Sequence, residues 1–197
     1  MHQHYVISVV SRDRIGIVAD VSSALAALGG DIADLRQSVL RDYFTMILLA
    51  SFPATVSAEV IQRQTAQASA SDLPSLHVTV IAADAADEGS SVVHGRSSVV
   101  GRPSSVQPNY LLTARGPDRV GFVASVSAFC ARNRLNILDL ATTVADGRYV
   151  MMLLVDVSRC ADLDAVRRQL QEFGQANGLE AVLQHEAIFR ATNEVDQ

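Results

Sequence analysis

The stretch Asp13–Val18 reads D-R-I-G-I-V, and 105 positions later Asp118–Val123 reads D-R-V-G-F-V. In both stretches an acidic and a basic residue precede a glycine, and an apolar run with helical spacing follows. A glycine at the start of a helix permits a backbone angle that other residues resist. It also leaves the first N–H groups of the helix open to a small anion. The stretch therefore predicts a strand-to-helix turn, with a structural and a ligand-binding interpretation both open.

The two stretches belong to one long internal repeat. A shift of 105 residues aligns Tyr5–Phe52 with Tyr110–Val157 without a gap, and 16 of the 48 aligned pairs are identical. The identical pairs are spread through the whole aligned region. A period this long with only two copies indicates a duplicated domain rather than a solenoid.

Each copy has the pattern strand, helix, strand, strand, helix, strand. In the first copy the predicted strands are Tyr5–Val10, Ile32–Leu40, Phe44–Phe52 and Leu76–Ala82, with one helix ending at Gly29-Gly30 and another over Ser57–Ala70. In the second they are Tyr110–Ala114, Ile137–Ala145, Tyr149–Val157 and about Leu179–Phe189, with one helix ending at Arg134-Leu135 and another over Asp162–Asn177. The unbroken apolar runs Met46–Ala50 and Met151–Val155 predict strands covered on both faces. The fold class predicted is α+β, two ferredoxin-like βαββαβ domains with antiparallel sheets in tandem.

The predicted domains are residues 1–84 and 109–190, joined by a linker over 85–108 and followed by a tail over 191–197. The linker is rich in serine, glycine and valine, and its two Ser-Ser-Val-Val stretches are compatible with an added edge strand. A single βαββαβ unit leaves an edge strand and one sheet face to be covered. We therefore expect a homo-oligomer, most simply a dimer, with pairing of the units within or between chains left open.

Composition excludes several classes of function. Apolar residues make up 49% of the 197 residues, the net charge is −5, and all 16 basic residues are arginine. The absence of lysine excludes a Walker-type phosphate loop and Schiff-base chemistry. The acidic balance argues against nucleic acid or an anionic membrane as a partner. The two cysteines and five histidines have no metal-ligand spacing, and the start MHQHYVISVV has neither the basic region nor the small-residue cleavage site of a signal peptide. We expect a cytoplasmic protein with no metal, no cofactor and no catalytic residue.

The D-R-x-G turn, its helix and the strand start that follows, Asp31-Ile32 or Asn136-Ile137, resemble the ACT domain. The resemblance covers both copies. It implies an amino-acid effector bound where two modules pair, with its carboxylate on the backbone amides of the glycine turn and its amine near the Asn-Ile position. The ligand-binding residues it implies are Asp13, Arg14, Ile15, Gly16, Ile17, Val18, Asp31, Ile32, Asp118, Arg119, Val120, Gly121, Phe122, Val123, Asn136 and Ile137. The first copy has Asp31 where the second has Asn136, which speaks against equal occupancy of two sites.

Two ACT-like units in tandem resemble the glycine cleavage system transcriptional repressor family. This resemblance implies a non-enzymatic regulator that binds a small amino acid of the glycine or serine type and modulates transcription by contacting a DNA-binding regulator. Two alternatives remain: a ligand-independent interaction scaffold, and a regulatory subunit of an amino-acid or one-carbon metabolic enzyme. An acid–base role for the charges of the two turns is disfavoured, because such residues are more simply turn or capping residues with weak, exposed pairing.

Overall fold

Both repeats contain the six elements that the sequence predicts, in the predicted order. The computed structural model describes residues 2–70, 73–83, 109–145 and 148–187. The elements of the first repeat are β1 (His2–Arg12), α1 (Ile17–Ala27), β2 (Asp31–Leu40), β3 (Tyr43–Pro53), α2 (Ala58–Ala66) and β4 (His77–Ala82). Those of the second are β5 (Asn109–Gly116), α3 (Phe122–Arg132), β6 (Asn136–Ala145), β7 (Arg148–Asp156), α4 (Leu163–Asn177) and β8 (Glu180–His185). The α+β fold of two βαββαβ units is confirmed.

Each D-R-x-G glycine is the N-cap of its helix. Gly16 has φ 94° and Gly121 has φ 84°, in the left-handed region that other residues enter only with strain. A Cβ at Gly121 would meet nothing within 4 Å, and one at Gly16 would meet only ordinary contacts at 3.6 Å and beyond. The backbone angle, not close packing, therefore requires glycine at these positions.

The eight strands form one antiparallel sheet in the order β4-β1-β3-β2-β6-β7-β5-β8. The repeats join where β2 pairs with β6, and there Arg36 lies directly opposite Ala141. These two residues are equivalent positions of the repeats, so the join lies on an approximate two-fold axis. The two units therefore pair with each other within one chain. The sequence alone leaves open whether they pair within or between chains.

The central strands are covered on one face only, and the prediction of cover on both faces is wrong. Met46 and Leu48 of β3 are buried under the helices, whereas Ile47 between them is 54% exposed. Side chains of β7 likewise alternate between buried and half-buried. We call the uncovered side the open sheet face; its exposed apolar residues are Val10, Leu40, Tyr43, Ile47, Ile81 and Val182.

Several sequence predictions differ from the structure or fall outside it. Helix α2 is shorter than the predicted Ser57–Ala70, and β8 is shorter than Leu179–Phe189. The linker over 85–108 with its suggested edge strand, and the tail over 191–197, lie outside the described residues. In the part of the chain that the structure describes, none of the helices has the length and apolarity to cross a membrane.

Candidate functional site

The helices α1 and α3 pack against each other across the axis that relates the repeats. Ser22 and Ser127 are equivalent residues, both are 1% exposed, and their Oγ atoms approach to 3.2 Å. This packing brings the glycine turn of each repeat against the end of the first helix and the following strand start of the other repeat. Two clefts result, one on each side of the axis.

The first cleft, the Gly16 site, combines the first glycine turn with the second repeat. It is lined by Asp13, Arg14, Gly16, Ile17, Val18, Ala19 and Phe44 of the first repeat and by Ser127, Cys130, Ala131, Leu135, Asn136 and Ile137 of the second. Its cavity volume is about 10 Å³. The side chains of the two repeats therefore meet closely.

The second cleft, the Gly121 site, is the counterpart of the first. It is lined by Asp118, Arg119, Gly121, Phe122, Val123, Ala124 and Tyr149 of the second repeat and by Ser22, Ala26, Gly30 and Ile32 of the first. This cavity also measures about 10 Å³. The turn before its glycine is exposed from Pro117 to Val120, whereas Asp13–Ile15 of the Gly16 site are half-buried.

The structure brings most of the predicted residues together, but each site combines residues of both repeats. Three of them line neither cleft: Ile15, Val120 and Asp31. Asp31 nevertheless lies between Gly30 and Ile32, which both line the Gly121 site. The sequence alone grouped each strand start with the turn of its own copy, whereas each site takes its strand start from the other copy.

In the Gly16 site a hydrogen bond joins the two repeats. The amide Nδ2 of Asn136 donates to Asp13 Oδ2 at 2.8 Å. The other carboxylate oxygen of Asp13, Oδ1, is buried and has no hydrogen-bond partner among the described residues. Asn136 thus fixes the orientation of the Asp13 carboxylate and spans the cleft.

Arg14 fastens the first glycine turn to helix α1 and to the segment that follows helix α2. Its Nη2 donates to Asp20 Oδ2 at 2.6 Å and to Ser69 Oγ at 2.8 Å, and its side chain is only 14% exposed. The expectation of weak, exposed pairing is therefore wrong for Arg14. Its equivalent Arg119 is exposed and makes one longer bond, 3.4 Å, to the carbonyl of Asn177 at the end of α4.

The Gly121 site is electrostatically different, because Asp118 lines it without a bridging amide and Asp31, between the lining residues Gly30 and Ile32, adds a second negative charge nearby. Partial burial, and secondly the charge of Asp31, raise the pKa of Asp118 above its ordinary value of 3.8. Burial also raises the pKa of Tyr149 to about 12, and Asp118, Asp34 and Asp31 contribute to the rise. Tyr149 is therefore a neutral phenol at physiological pH.

Reasoning from the sequence missed one aromatic residue in each of the two sites. Phe44 lines the Gly16 site and Tyr149 lines the Gly121 site, and both begin a strand that was assigned to the core. The repeat alignment places them in equivalent positions, which is the signal that could have drawn attention to the pair. Cys130 also lines the Gly16 site, but burial raises its thiol pKa to about 12, so it is a poor nucleophile.

The chemistry available in the clefts is recognition of a small polar molecule. Neither α1 nor α3 has a side-chain cap, and the first-turn residues of each helix line a cleft, although the Phe122 amide already donates to the carbonyl of Arg119 at 3.2 Å. Carboxylates and an amide lie opposite them. Across the described ranges, His, Cys, Asp and Glu side chains do not gather into a group of three that would hold a metal ion.

The sheet order and the two βαββαβ units place the chain in the class of tandem ferredoxin-like α+β proteins. The model of the ACT domain family matches residues 3–79 and 109–184. The chain belongs to the ACT domain family, whose members are regulatory ligand-binding domains that generally bind amino-acid effectors and oligomerise.

Relatives in other organisms are the length of about one repeat. A UPF0237 protein of Methanocaldococcus jannaschii is 38% identical over 76 residues, which are 38% of this chain and 84% of the relative. A UPF0237 protein of Clostridium perfringens is 33% identical over 88 residues, 44% of this chain and 99% of the relative. Among solved structures, a proposed glycine cleavage system transcriptional repressor is 16% identical, with 94% of this chain and 98% of that chain covered and a TM-score of 0.37.

Proposed function

We propose that this protein is a non-enzymatic regulator that binds a small amino acid at the joint of its repeats and modulates transcription by contacting a DNA-binding regulator. The observation that carries the proposal is the composite construction of the clefts, each built from a glycine turn of one repeat and a strand start of the other. A ligand there touches both repeats, so its binding energy acts on their relative position.

The polar groups of the clefts match the two ends of an amino acid. The uncapped first turns of α1 and α3 supply N–H groups and the positive end of a helix dipole for a carboxylate. Asp13 in one site and Asp118 in the other supply a carboxylate for an ammonium group. In this proposal the other predicted residues shape the clefts around these two groups.

The size of the clefts favours the smallest amino acids and implies movement. A cavity of about 10 Å³ holds roughly one ordered water molecule. Glycine or serine can enter only if α1 and α3 move apart, and a larger side chain requires a wider separation. Ligand binding in this proposal therefore changes the packing of the two repeats, which is the signal that a protein partner detects.

Titration calorimetry of the full chain with glycine, L-serine and L-phenylalanine tests ligand binding. We expect heat with glycine or serine at a dissociation constant near the millimolar range, which corresponds to about 4 kcal/mol. Complete absence of heat up to roughly ten millimolar with every amino acid would contradict the proposal.

Matched variants connect that heat to the clefts. Ala26 and Ala131 are equivalent residues that line the two sites, and Ala27 is the exposed neighbour of Ala26 on α1. The double variant Ala26→Leu with Ala131→Leu fills both clefts and is expected to abolish binding, whereas Ala27→Leu preserves it. Equal binding by the double variant and the control would place the ligand elsewhere.

Contact with other proteins is the second part of the proposal. The open sheet face has exposed apolar side chains, which are typical of interaction surfaces. We propose that a second copy of the chain covers part of this face and that the regulator binds the resulting dimer. Capture of a partner with an affinity that does not respond to amino acids would favour the scaffold alternative instead.

A further inference from the structure

Several pairs of equivalent positions differ at or beside the two clefts, and the first pair is aromatic. Tyr149 of the Gly121 site corresponds to Phe44 of the Gly16 site. Tyr149 is 1% exposed, and its Oη makes no hydrogen bond of good geometry with any residue that the structure describes. Thr142 lies close enough to oppose part of the rise in the Tyr149 pKa. A buried hydroxyl whose neighbour Thr142 offers no well-formed hydrogen bond is unusual in a folded protein and indicates a missing group.

The second pair concerns the residue that bridges the repeats. Asn136 donates its hydrogen bond to Asp13 across the Gly16 site. The equivalent of Asn136 is Asp31, which has no N–H to donate to Asp118 in the Gly121 site. The Gly121 site is therefore lined by the Asp118 carboxylate with the charge of Asp31 nearby, whereas the Gly16 site has a carboxylate joined to an amide.

The third pair concerns the carboxylate that binds the turn arginine. Asp20 binds Arg14, whereas the equivalent residue in the second repeat is Ser125, whose hydroxyl donates to the carbonyl of Phe122 at 2.8 Å. Arg119 consequently remains exposed and bonds outward to Asn177. Arg119 therefore offsets the negative charge at the Gly121 site less than Arg14, which forms an ion pair with Asp20, does at the Gly16 site.

A cation entering the Gly121 site would also meet aromatic faces. The rings of Phe122 and Tyr149 both line the cleft, with centroids 5.2 Å apart at 62°. In the Gly16 site the equivalent of Phe122 is the aliphatic Ile17. Aromatic rings attract an ammonium group, and two adjacent carboxylates attract it further.

We propose that the protein binds one ligand per chain, at the Gly121 site, with the ligand's ammonium group at Asp118, with Asp31 nearby, and a second polar group on Tyr149 Oη. In this proposal the Gly16 site holds the two repeats together and binds no ligand. Asp13 Oδ1 and Arg14 Nε lack partners there, but both side chains are already held through other atoms. This inference rests on the proposed amino-acid binding and makes Tyr149 the residue that selects the occupied site.

The variant Tyr149→Phe tests the inference directly. Because the Oη makes no well-formed hydrogen bond with the described residues, its removal is expected to leave the unfolding temperature almost unchanged or higher. Calorimetric titration of the full chain with glycine and L-serine is expected to give one ligand per wild-type chain. The variant is expected to bind roughly tenfold more weakly, as for the loss of one hydrogen bond to a charged ligand.

Tyr43→Phe is the matched control, since it removes a hydroxyl from an exposed tyrosine that lines neither cleft and is expected to leave affinity and stoichiometry unchanged. N-acetylglycine, which lacks the ammonium group, is expected to give no heat. Any of three results would overturn this inference and leave the proposed function standing. They are two ligands per chain, a Tyr149→Phe variant with the affinity of the wild-type chain, or binding of N-acetylglycine equal to that of glycine. Absence of heat with every amino acid would overturn both.

Discussion

At the residue scale, one exchange between aspartate and asparagine distinguishes the two halves of the joint. Asn136 bridges to Asp13, whereas Asp31 and Asp118 are both carboxylates. We expect Asp31→Asn to supply the missing donor and to raise the free energy of unfolding by about 0.5 kcal/mol at pH 7, a small value because the site is partly exposed. Denaturant unfolding of the chain without ligand measures the change.

The pH dependence of this variant follows from the raised pKa of Asp118. A carboxyl whose pKa is higher in the folded than in the unfolded state contributes its stability below the unfolded value of 3.8. That contribution is lost as the pH rises through the folded value. The advantage of Asp31→Asn should therefore be greatest at neutral pH and shrink as the pH falls toward 3.8. Asn136→Asp should have the opposite sign at pH 7, and a stabilising effect of both variants would contradict this account.

At the element scale, Arg14 connects the first glycine turn to α1 and to the segment after α2. Its three hydrogen bonds, to Asp20, Ser69 and the carbonyl of Ile15, involve a mostly buried guanidinium. We expect Arg14→Ala to lower the free energy of unfolding by about 2 kcal/mol, because a half-buried Asp20 loses its counterion.

Arg119→Ala is the matched control in the second repeat. Arg119 is exposed and makes one long bond, so its removal should change stability by less than about 0.5 kcal/mol. Urea unfolding of both variants gives the comparison. Equal losses would mean that the two turns are held in the same way, contrary to the geometry.

The sequence predicted the elements better than their assembly. Local signals determine the elements: the glycines with positive φ begin α1 and α3, and Asp162 caps α4 by accepting from two backbone amides. The pairing of β2 with β6 joins residues about 100 positions apart, and the side chains of neither strand specify the other as partner. That join determines which turn meets which strand start. Local sequence signals therefore could not predict that each site combines the glycine turn of one repeat with the strand start of the other.

Two other features depend on burial, which a local pattern does not reveal. An unbroken apolar run such as Met46–Ala50 has the same composition whether one face of the strand or both are covered. Only the position of the helices shows that Ile47 is uncovered. Similarly, Tyr149 is typical of a half-buried strand in sequence, and its importance lies in a hydroxyl without a partner.

At the scale of the whole molecule, the one-sided arrangement leaves an eight-stranded sheet with apolar side chains on its open face. Around Ile47 a depression of about 320 Å³ is lined by residues of β1, β2, β3 and β6, including Val10, Arg36 and Asp139. Its position next to the join of the repeats means that a partner on this face contacts both. A ligand that separates α1 from α3 would then alter the surface on which the partner rests.

We expect the purified chain to be a dimer through this face, with twice the mass of one chain by light scattering. Ile47→Glu should convert it to a monomer, since a charge would be buried at the contact. The variant should remain folded, because Ile47 is 54% exposed and lies beside Arg36 in the sheet. Leu73→Glu, at a 40% exposed position between α2 and β4, is the control and should stay dimeric. A wild-type monomer, or a dimeric Ile47→Glu variant, would mean that the open sheet face is not the contact between copies, and the regulator would then have to recognise a single chain.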